Sequence, residues 1–421
     1  MENAKKKIHY AWWILIGLCI MVGLGKGALN NSAGLFLTPV SKELGIGMGS
    51  LTLYLSISSV VTMLILPIGG KMMAKYNTKY LLTIAIILQA GAFAAFGLMN
   101  SVWGWYVLSI PLAVGGVFIT VIAGPVLINQ WFKKSKGLAL GIMGAAGGAI
   151  GAIVQPITGN LIATRGWSST YIIIGIAVIV IVVPVILLLI RKSPKEKGLL
   201  PYGTAATNDE SSLSNEDTSN QGITLAVAKK TAAFYSLILF FFLITAIASF
   251  SMHIPTYLTS QGYTVAFAGN IMGVYMIGAL VGALALGFFS DKIGAKTTTF
   301  LAMCLGIVSV IILQFFSGNV VLITIAAAIF GFMGASIGTL APMLATALFG
   351  NKEYSQIYST ASLGLAVASM VVLPAYGFVY DFTGTYEMVL YALIAMFIVN
   401  IIAIYIAFKS KKKIVESGLW N

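Results

Sequence analysis

The chain has few charged residues, and their scarcity excludes a water-soluble fold. Lys, Arg, Asp and Glu together make up only 9% of its 421 residues, whereas they form about a quarter of an ordinary soluble protein. Hydrophobic residues account for 59%, and the mean hydropathy is +0.96. They come in runs of about 20, the length that crosses ~30 Å of hydrocarbon as a helix. We therefore expect lipid to be the solvent of this fold.

Residues that bind metals or perform catalysis are also rare. Both cysteines, Cys19 and Cys304, fall inside apolar runs, so the sequence predicts neither a disulfide framework nor a metal site. The 12 Asp and Glu residues lie in loops, tails or helix ends. No acid pair, nucleophile–base combination or phosphate-binding loop can be assembled within the apolar runs. These absences predict that the protein is not an enzyme and needs no cofactor.

The apolar runs predict an all-α integral membrane protein with twelve transmembrane helices. They lie near residues 10–36, 51–70, 80–99, 105–130, 137–162, 169–190, 232–257, 265–289, 298–316, 320–346, 356–380 and 386–408. With both chain ends in the cytoplasm, 22 of the 25 Lys and Arg lie on that side, as the positive-inside rule requires. Lys42 and Arg165 then lie outside, and Lys26 lies within the first span. The net charge of +13 thus reflects topology and not nucleic-acid binding. The short tails indicate a prokaryotic plasma membrane.

The two halves of the chain repeat each other weakly. At an offset of 218, Pro156 falls on Pro374 and Gly159 falls on Gly377 without a gap. Between the halves lies a stretch rich in Ser, Asn, Asp and Glu, which cannot bury a core and should be mostly mobile. The predicted domains are an N-terminal six-helix bundle at 1–190, a cytoplasmic linker at 191–230 and a C-terminal six-helix bundle at 231–421. Two similar halves suit a transporter whose halves rock against each other.

A short motif between the eighth and ninth spans indicates a family. GFFSDKIGAK, with Gly287, Asp291, Lys292, Gly294 and Lys296 at its characteristic positions, resembles the G-x-x-x-D-[RK]-x-G-[RK]-[RK] signature of the major facilitator superfamily. The glycine at 287 permits close helix approach, and the carboxylate of Asp291 can face a neighbouring helix N-terminus. We expect these residues to form a cytoplasmic gate. The equivalent turn of the first half has Met73 in place of the acid.

Four other segments resemble one branch of that superfamily, the oxalate:formate antiporters and monocarboxylate porters. These segments are YAWW at 10–13 and the stretches at 129–156, 193–203 and 381–386. The resemblance implies two pseudo-symmetric six-helix bundles and transport of small mono- or dicarboxylates, by proton symport or anion exchange. Members of that branch often carry an arginine in the eighth span, where this chain has Ala283. The usual carboxylate anchor of the second half is therefore missing.

Lys26 is the strongest candidate for binding a solute. It lies about 16 residues into the first span, hence roughly 24 Å from the cytoplasmic end at 1.5 Å per residue. An ammonium at such depth costs several kcal/mol unless it faces water or an anion, so it marks a functional site. Asn30 lies one turn above it on the same face. The alternative is a lysine that extends towards the outer headgroups.

Other polar residues on the predicted cavity helices extend the candidate site. Tyr54, Gln155 and Tyr275 could contact the solute, although each could equally serve ordinary hydrogen bonding between helices. His253, near the outer end of the seventh span, could couple transport to protons or form an outer gate. The alternative is an interfacial histidine with no role in coupling.

The sequence therefore predicts a secondary transporter of a small organic anion. We expect the chain to act as a monomer in the lipid bilayer, with a proton or an exchanged anion as its coupling partner and alternating access as its mechanism. An exporter of amphipathic or drug-like compounds is the alternative within transporters. A membrane solute sensor of similar architecture, or an integral-membrane enzyme, is the alternative from another class.

Overall fold

The computed structural model describes residues 9–204, 222–418 and 420 and confirms the predicted all-α fold. Those residues contain no β-strand and only two isolated bridges. The α-helices and π-helices run over Tyr10–Val22, Gly23–Asn30, Ala33–Leu44, Met48–Lys75, Thr78–Phe96, Val102–Gly116, Val117–Ile122, Ala123–Trp131, Lys136–Leu189, Leu225–Ala228, Ala232–Ser249, Ile254–Ser260, Val265–Ile293, Ala295–Phe315, Val320–Gly334, Ser336–Phe349, Tyr354–Ala361, Leu363–Thr383 and Glu387–Glu416. Short 3-10 turns cover Pro194–Lys197 and Phe250–Met252. Lys5–Lys7, three of the 22 basic residues expected on the cytoplasmic side, lie outside the described residues.

The described helices make twelve spans. They lie in eleven helices, each long and apolar enough to cross a membrane, and one of these helices contains two spans. The longest, Lys136–Leu189, has 54 residues, which corresponds to about 80 Å and far exceeds the ~30 Å hydrocarbon core. Gly166 interrupts it with φ 77° and ψ 165°, a conformation that favours glycine. The fifth and sixth spans therefore meet at Gly166, and the predicted number of spans is confirmed.

The surfaces of the spans suit lipid. Leu64, Leu188 and Leu284 are among many large apolar side chains that are exposed. The largest buried side chains include Trp105 and Trp131, so aromatic residues fill the interior as well. A soluble monomer would not tolerate so much exposed apolar surface, whereas a bilayer favours it because the helices satisfy their own backbone hydrogen bonds.

Five of the described spans contain a π-segment, a 3-10 turn or a one-residue break: the first and fourth spans of each half, and the eleventh span, which is interrupted at Ser362. The first and fourth spans contain π-helices at Gly23–Asn30 and Val117–Ile122. In the second half, the seventh span contains the 3-10 turn Phe250–Met252, and the tenth is interrupted at Ala335. π-segments and broken helices free backbone groups and occur preferentially at functional sites. Within each unit, these segments are therefore candidates for the functional site.

The described residues form two compact units. One comprises residues 9–32, 60–154 and 165–204, and the other comprises 33–59, 155–164 and 222–418. The second unit thus includes one end each of the first, second and fifth spans together with the second half of the chain. The predicted domains follow chain order, whereas these units follow packing, so the predicted domain boundaries stay a prediction.

Both ends of the predicted linker are held by short loops. In the first unit, the amide of Tyr202 donates to the carbonyl of Trp131 over 2.8 Å. In the second unit, the amide of Ile223 donates to the carbonyl of Phe349 over 3.0 Å. The two contacts are equivalent, since Trp131 and Phe349 each lie at the end of the fourth span of their half. The middle of the predicted mobile linker, residues 205–221, lies outside the described residues.

Candidate functional site

Lys26 lies near the middle of its span. The first span continues through Ala33–Leu44, farther than the sequence indicated, so Lys26 lies 16 residues after Tyr10 and 18 before Leu44. At 1.5 Å per residue this is about 24 Å from one end and about 27 Å from the other. Lys26 is therefore more than about 20 Å of helix away from either end of its span.

Glycines determine where the Lys26 side chain lies. A methyl group placed on Gly27 would lie 2.7 Å from the Gly147 carbonyl oxygen, so the first and fifth spans touch through their backbones. The Lys26 stem runs along this contact, 3.4 Å from the position of a methyl group on Gly147. Lys26 is nevertheless exposed, while Gly25 and Gly27 on either side of it are buried. The side chain therefore faces accessible space beside the fifth span.

The Lys26 ammonium has no counter-ion in the part of the chain that the structure describes. The ion pair found there joins Lys412 and Glu416, near the end of the twelfth span. An unpaired cation at mid-span is costly unless it faces water or an anion. Lys26 thus has the exposure and the free charge that an anion-binding group needs.

A buried glutamine supports the π-helix that carries Lys26. The backbone here forms the long-range bond of a π-helix, with the Asn31 amide donating to the Lys26 carbonyl over 2.9 Å. Gln89, fully buried on the third span, donates through Nε2 to the Gly25 carbonyl over 3.1 Å and to Asn30 Oδ1 over 3.2 Å. Asn30 itself is exposed. Lys26 and Asn30 thus lie four residues apart on the same π-helix, and both are exposed.

Gln89 also touches the second π-helix of the first unit. A methyl group on Gly25 would lie 2.7 Å from Ile119 Cγ2, so the π-helices of the first and fourth spans pack directly against each other. A methyl group on Gly115, in the α-helix that directly precedes this second π-helix, would lie 2.7 Å from the backbone nitrogen of Gln89. Sequence reasoning did not single out Gln89, although it is the only amide side chain in the apolar run Thr78–Phe96.

In the second unit, Tyr275 lies between the 3-10 turn of the seventh span and the break in the tenth span. Its hydroxyl bonds to the side chain of Ser251, within the 3-10 turn of the seventh span. A methyl group on Gly334 would lie 3.0 Å from the same hydroxyl, so Tyr275 also touches the break in the tenth span. Tyr275 is buried. Tyr275 therefore contacts the irregular segments of both the seventh and the tenth spans, and Gln89 has a similar position beside the two π-helices of the first unit.

His253 is fully buried and both ring nitrogens are engaged. Nε2 lies 3.0 Å from the Leu373 carbonyl and Nδ1 lies 2.8 Å from the Tyr386 hydroxyl. A carbonyl only accepts, so Nε2 carries a proton, and in the neutral ring Nδ1 accepts from Tyr386. His253 thereby ties the seventh span to the eleventh and to the start of the twelfth.

The other two predicted site residues are also buried in the second unit. Tyr54 lies on the second span. Gln155 lies where the fifth span meets the eighth, and a methyl group on Gly269 would lie 2.8 Å from its carbonyl oxygen. Within the second unit, these two residues occupy helix contacts while Tyr275 and His253 lie at the break in the seventh span.

At the predicted outer end of the spans, an aspartate caps a helix. The carboxylate of Asp381, near the end of the eleventh span, accepts from the amides of Met48 and Gly49, with both distances 2.7 Å. These amides begin the second span and have no partner within their own helix. A negative charge at a helix N-terminus is also favoured by the helix dipole. No sequence pattern predicts this pairing of residues more than 330 positions apart.

Two further contacts join the same helices. A methyl group on Gly377 would lie 2.8 Å from Gly49 Cα, so the second and eleventh spans touch through their backbones. Deeper in the bundle, the Ser56 hydroxyl donates to the Met370 carbonyl. Pro374, four residues later, has no N–H with which to bond that carbonyl. Ser56 thus supplies the donor that proline removed.

The motif at the predicted cytoplasmic end is arranged differently. Gly294 has φ 85° and ψ 149° and forms the turn between the eighth and ninth spans. The ammonium groups of the two motif lysines lie over aromatic rings, Lys292 over Phe288 and Lys296 over Phe408. A methyl group on Gly287 would only make ordinary contact with Thr339, on the tenth span.

Asp291, the acid of that motif, is exposed and has no partner among the residues described here. The sequence led us to expect it opposite a helix N-terminus. In this conformation that role is filled by Asp381, at the other end of the spans.

The second half offers no cation inside its spans. Its apolar runs contain no Lys or Arg between Ala232 and Phe289, between Thr298 and Phe349, or between Tyr354 and Phe408. Ala283, where the resembled branch often has arginine, is exposed. Any anion-binding charge must therefore come from the first half.

Comparison with known proteins identifies the family. The family model described as the Major Facilitator Superfamily matches residues 15–269 and 262–418. The MFS-type transporter YhjX of Escherichia coli is 26% identical over 85% of this chain and 86% of its own length. The crystal structure of the nucleoside transporter NupG superposes with a TM-score of 0.70 to 0.71, covering 95 to 96% of this chain and all of that one, at 14 to 15% identity. That likeness shows the shared fold.

The resemblance to one branch of the superfamily is narrower. The oxalate:formate antiporter of Oxalobacter formigenes is 25% identical over 40% of this chain and 41% of its own length. The match confirms a distant relationship, and it covers less than half of either protein.

Proposed function

The chain belongs to the major facilitator superfamily, and from this membership we propose that it moves a small organic anion across the membrane by alternating access. As a member it is a secondary transporter of small molecules and not an enzyme. The transport is driven by a gradient, through symport of a proton or exchange for a second anion. The name of the oxalate:formate antiporter, a partial relative, refers to two small carboxylates, which supports this class of solute.

The proposal is carried by one observation: Lys26 is exposed at mid-span and has no counter-ion among the described residues. A carboxylate that reaches it forms charge-assisted hydrogen bonds, which are about twice as strong as neutral ones. These bonds offset the cost of holding a cation at that depth. Because the spans of the second half contain no Lys or Arg, a single positive charge is available. One charge balances one carboxylate, so a monocarboxylate fits better than a dicarboxylate.

The remaining predicted residues take supporting roles in this proposal. Asn30 binds the solute beside Lys26, and Tyr54, Gln155 and Tyr275 stay predicted contacts of the solute. His253 contributes to the outer gate through its bonds to the eleventh span and to Tyr386.

The two gates lie at opposite ends of the spans. The Asp381 contact closes the outer gate. The cytoplasmic gate is formed by the motif residues Gly287, Asp291, Lys292, Gly294 and Lys296. We further propose that the protein is a monomer in the plasma membrane with both ends in the cytoplasm. Its moving bodies are the bundles at 1–190 and 231–421, joined by the linker at 191–230.

Counterflow in proteoliposomes tests the role of Lys26 without assuming a coupling ion. Purified protein is reconstituted with internal unlabelled lactate, formate or oxalate, and entry of the same labelled anion is followed. We expect Lys26→Ala to reduce the rate at least tenfold and Lys26→Arg to retain part of it. Lys42→Ala removes a lysine from the end of the same span and serves as the matched control. Equal counterflow by wild type and Lys26→Ala, both correctly folded, contradicts the proposal.

A further inference from the structure

Gln89 is a buried amide whose orientation is dictated by its surroundings. The carbonyl oxygen of Gly25, 3.1 Å away, can only accept, so the group facing it must be the Gln89 NH2. The reverse orientation would place two oxygens against each other. Gln89 Oε1 then lies on the other side, where no described residue bonds it. The glutamine therefore has one favourable orientation.

The orientation of Gln89 in turn fixes that of Asn30. The second hydrogen of the Gln89 NH2 points to the Asn30 side chain, 3.2 Å away, and needs an acceptor there. Only Oδ1 of the asparagine can accept, so Nδ2 is turned away from Gln89. Asn30 is exposed, and no described residue accepts a hydrogen bond from Nδ2. Its two hydrogens are available on the accessible side of the first span.

We propose that Gln89 is a positioning residue that determines the ligand class of this site, because it holds Asn30 with its NH2 directed outward beside Lys26. The inference rests on the proposed function and deepens it. Lys26 contributes three donors and Asn30 contributes two, while Oδ1 of Asn30 is turned towards the buried Gln89. This part of the site offers donors only. It favours a carboxylate, whose oxygens only accept, over an uncharged amide of the same shape, whose NH2 finds no acceptor.

Gln89→Glu preserves the size of the side chain and should reverse the orientation of the Asn30 amide. In Gln89→Glu the carboxylate cannot donate to Gly25 or to Asn30, so the asparagine rotates and presents its oxygen to the ligand. Gln89→Met removes both hydrogen bonds and leaves Asn30 free to take either orientation. Asn30→Asp replaces the outward NH2 directly by an acceptor. Asn400→Leu is the matched control, since Asn400 is a fully buried amide of the twelfth span with neither polar atom bonded within the described chain.

The preference for an acid over its amide can be measured directly by titration. The purified protein is titrated with lactate and its uncharged analogue lactamide, and with formate and formamide. We expect the ratio of acid to amide affinity to fall at least tenfold in Gln89→Glu and Asn30→Asp. It should fall less in Gln89→Met and stay unchanged in Asn400→Leu. An added carboxylate near Lys26 would by itself weaken binding of the acid, so the uncharged variant Gln89→Met decides between the two roles: a purely packing role for Gln89 would weaken both ligands equally there and leave the ratio unchanged.

The outcomes separate this inference from the proposed function. If Lys26→Ala abolishes acid binding while Gln89→Glu, with an unchanged melting temperature, keeps the wild-type ratio, the inference about Gln89 is overturned and the transport site stands. If Lys26→Ala binds the acids as well as wild type does, or wild type binds none of them, the proposed function is overturned as well. If Gln89→Glu does not fold, Asn30→Asp decides, and a wild-type ratio in that variant overturns the inference.

Discussion

Removing the Asp381 carboxylate should open the outer end of the spans. The carboxylate accepts two backbone hydrogen bonds of 2.7 Å from the start of the second span. Hydrogen bonds to a charged group contribute about 1.5–3 kcal/mol each, and the loss of a helix cap costs about 0.5–2 kcal/mol. Asp381 is exposed, so water replaces part of what is lost. We therefore expect Asp381→Ala to weaken the contact by about 2 kcal/mol, a factor of roughly 30 in the balance between closed and open forms.

Cysteine accessibility measures that balance. Thr52 lies one turn inside Gly49 on the second span and is fully buried. With Cys19 and Cys304 replaced by serine, Thr52→Cys should react slowly with a maleimide while the outer end is closed. Adding Asp381→Ala should raise the labelling rate, by up to about 30-fold if opening limits the reaction.

A second acid at the predicted outer end provides the matched control for this experiment. Glu387→Ala removes an exposed carboxylate of equal charge that has no ion pair in the described chain, so labelling at position 52 should not change. An Asp381→Ala protein that labels no faster than its parent refutes the reasoning.

Two further predictions concern hydrogen bonds of the second unit. Ser56→Ala should destabilise the protein by about 1–3 kcal/mol because it leaves the Met370 carbonyl without a donor. The same change should cost little in a Pro374→Ala background, where the restored N–H bonds that carbonyl; equal shifts in melting temperature in both backgrounds contradict this explanation. His253→Leu should lower the melting temperature by leaving the buried Tyr386 hydroxyl unpaired, whereas His253→Gln should retain most of the stability. Identical melting curves for the two variants would exclude a hydrogen-bonding role for this histidine.

The architecture could be predicted well because lipid imposes a simple rule on composition. Each predicted apolar run is helical. The fifth and sixth runs form one long helix, which Gly166 divides into two spans. Helix ends were less predictable. The first span was expected to end near residue 36, yet it continues to Leu44. The added residues include Pro39 and Lys42, which hydropathy alone places in a loop.

The site could be predicted only in part because its geometry depends on contacts between distant segments. Lys26 stood out since a cation in an apolar run is costly wherever the helix packs. The π-helix that carries it has no sequence signature. Gln89 carried a readable signal, as a lone amide in an apolar run, and that signal was overlooked. Asp381 carried none, because nothing local shows that its partner is the start of the second span.

The central claim is that the solute's negative charge is bound by Lys26, and the unmodified protein can test it. An amine-specific reagent is applied with and without lactate, formate or oxalate, and the modification of each lysine is followed by mass spectrometry. We predict that an anion slows modification of Lys26 at least fivefold and leaves Lys42, on the same span, unaffected. Modification of Lys26 at the same rate with and without these anions would contradict the account.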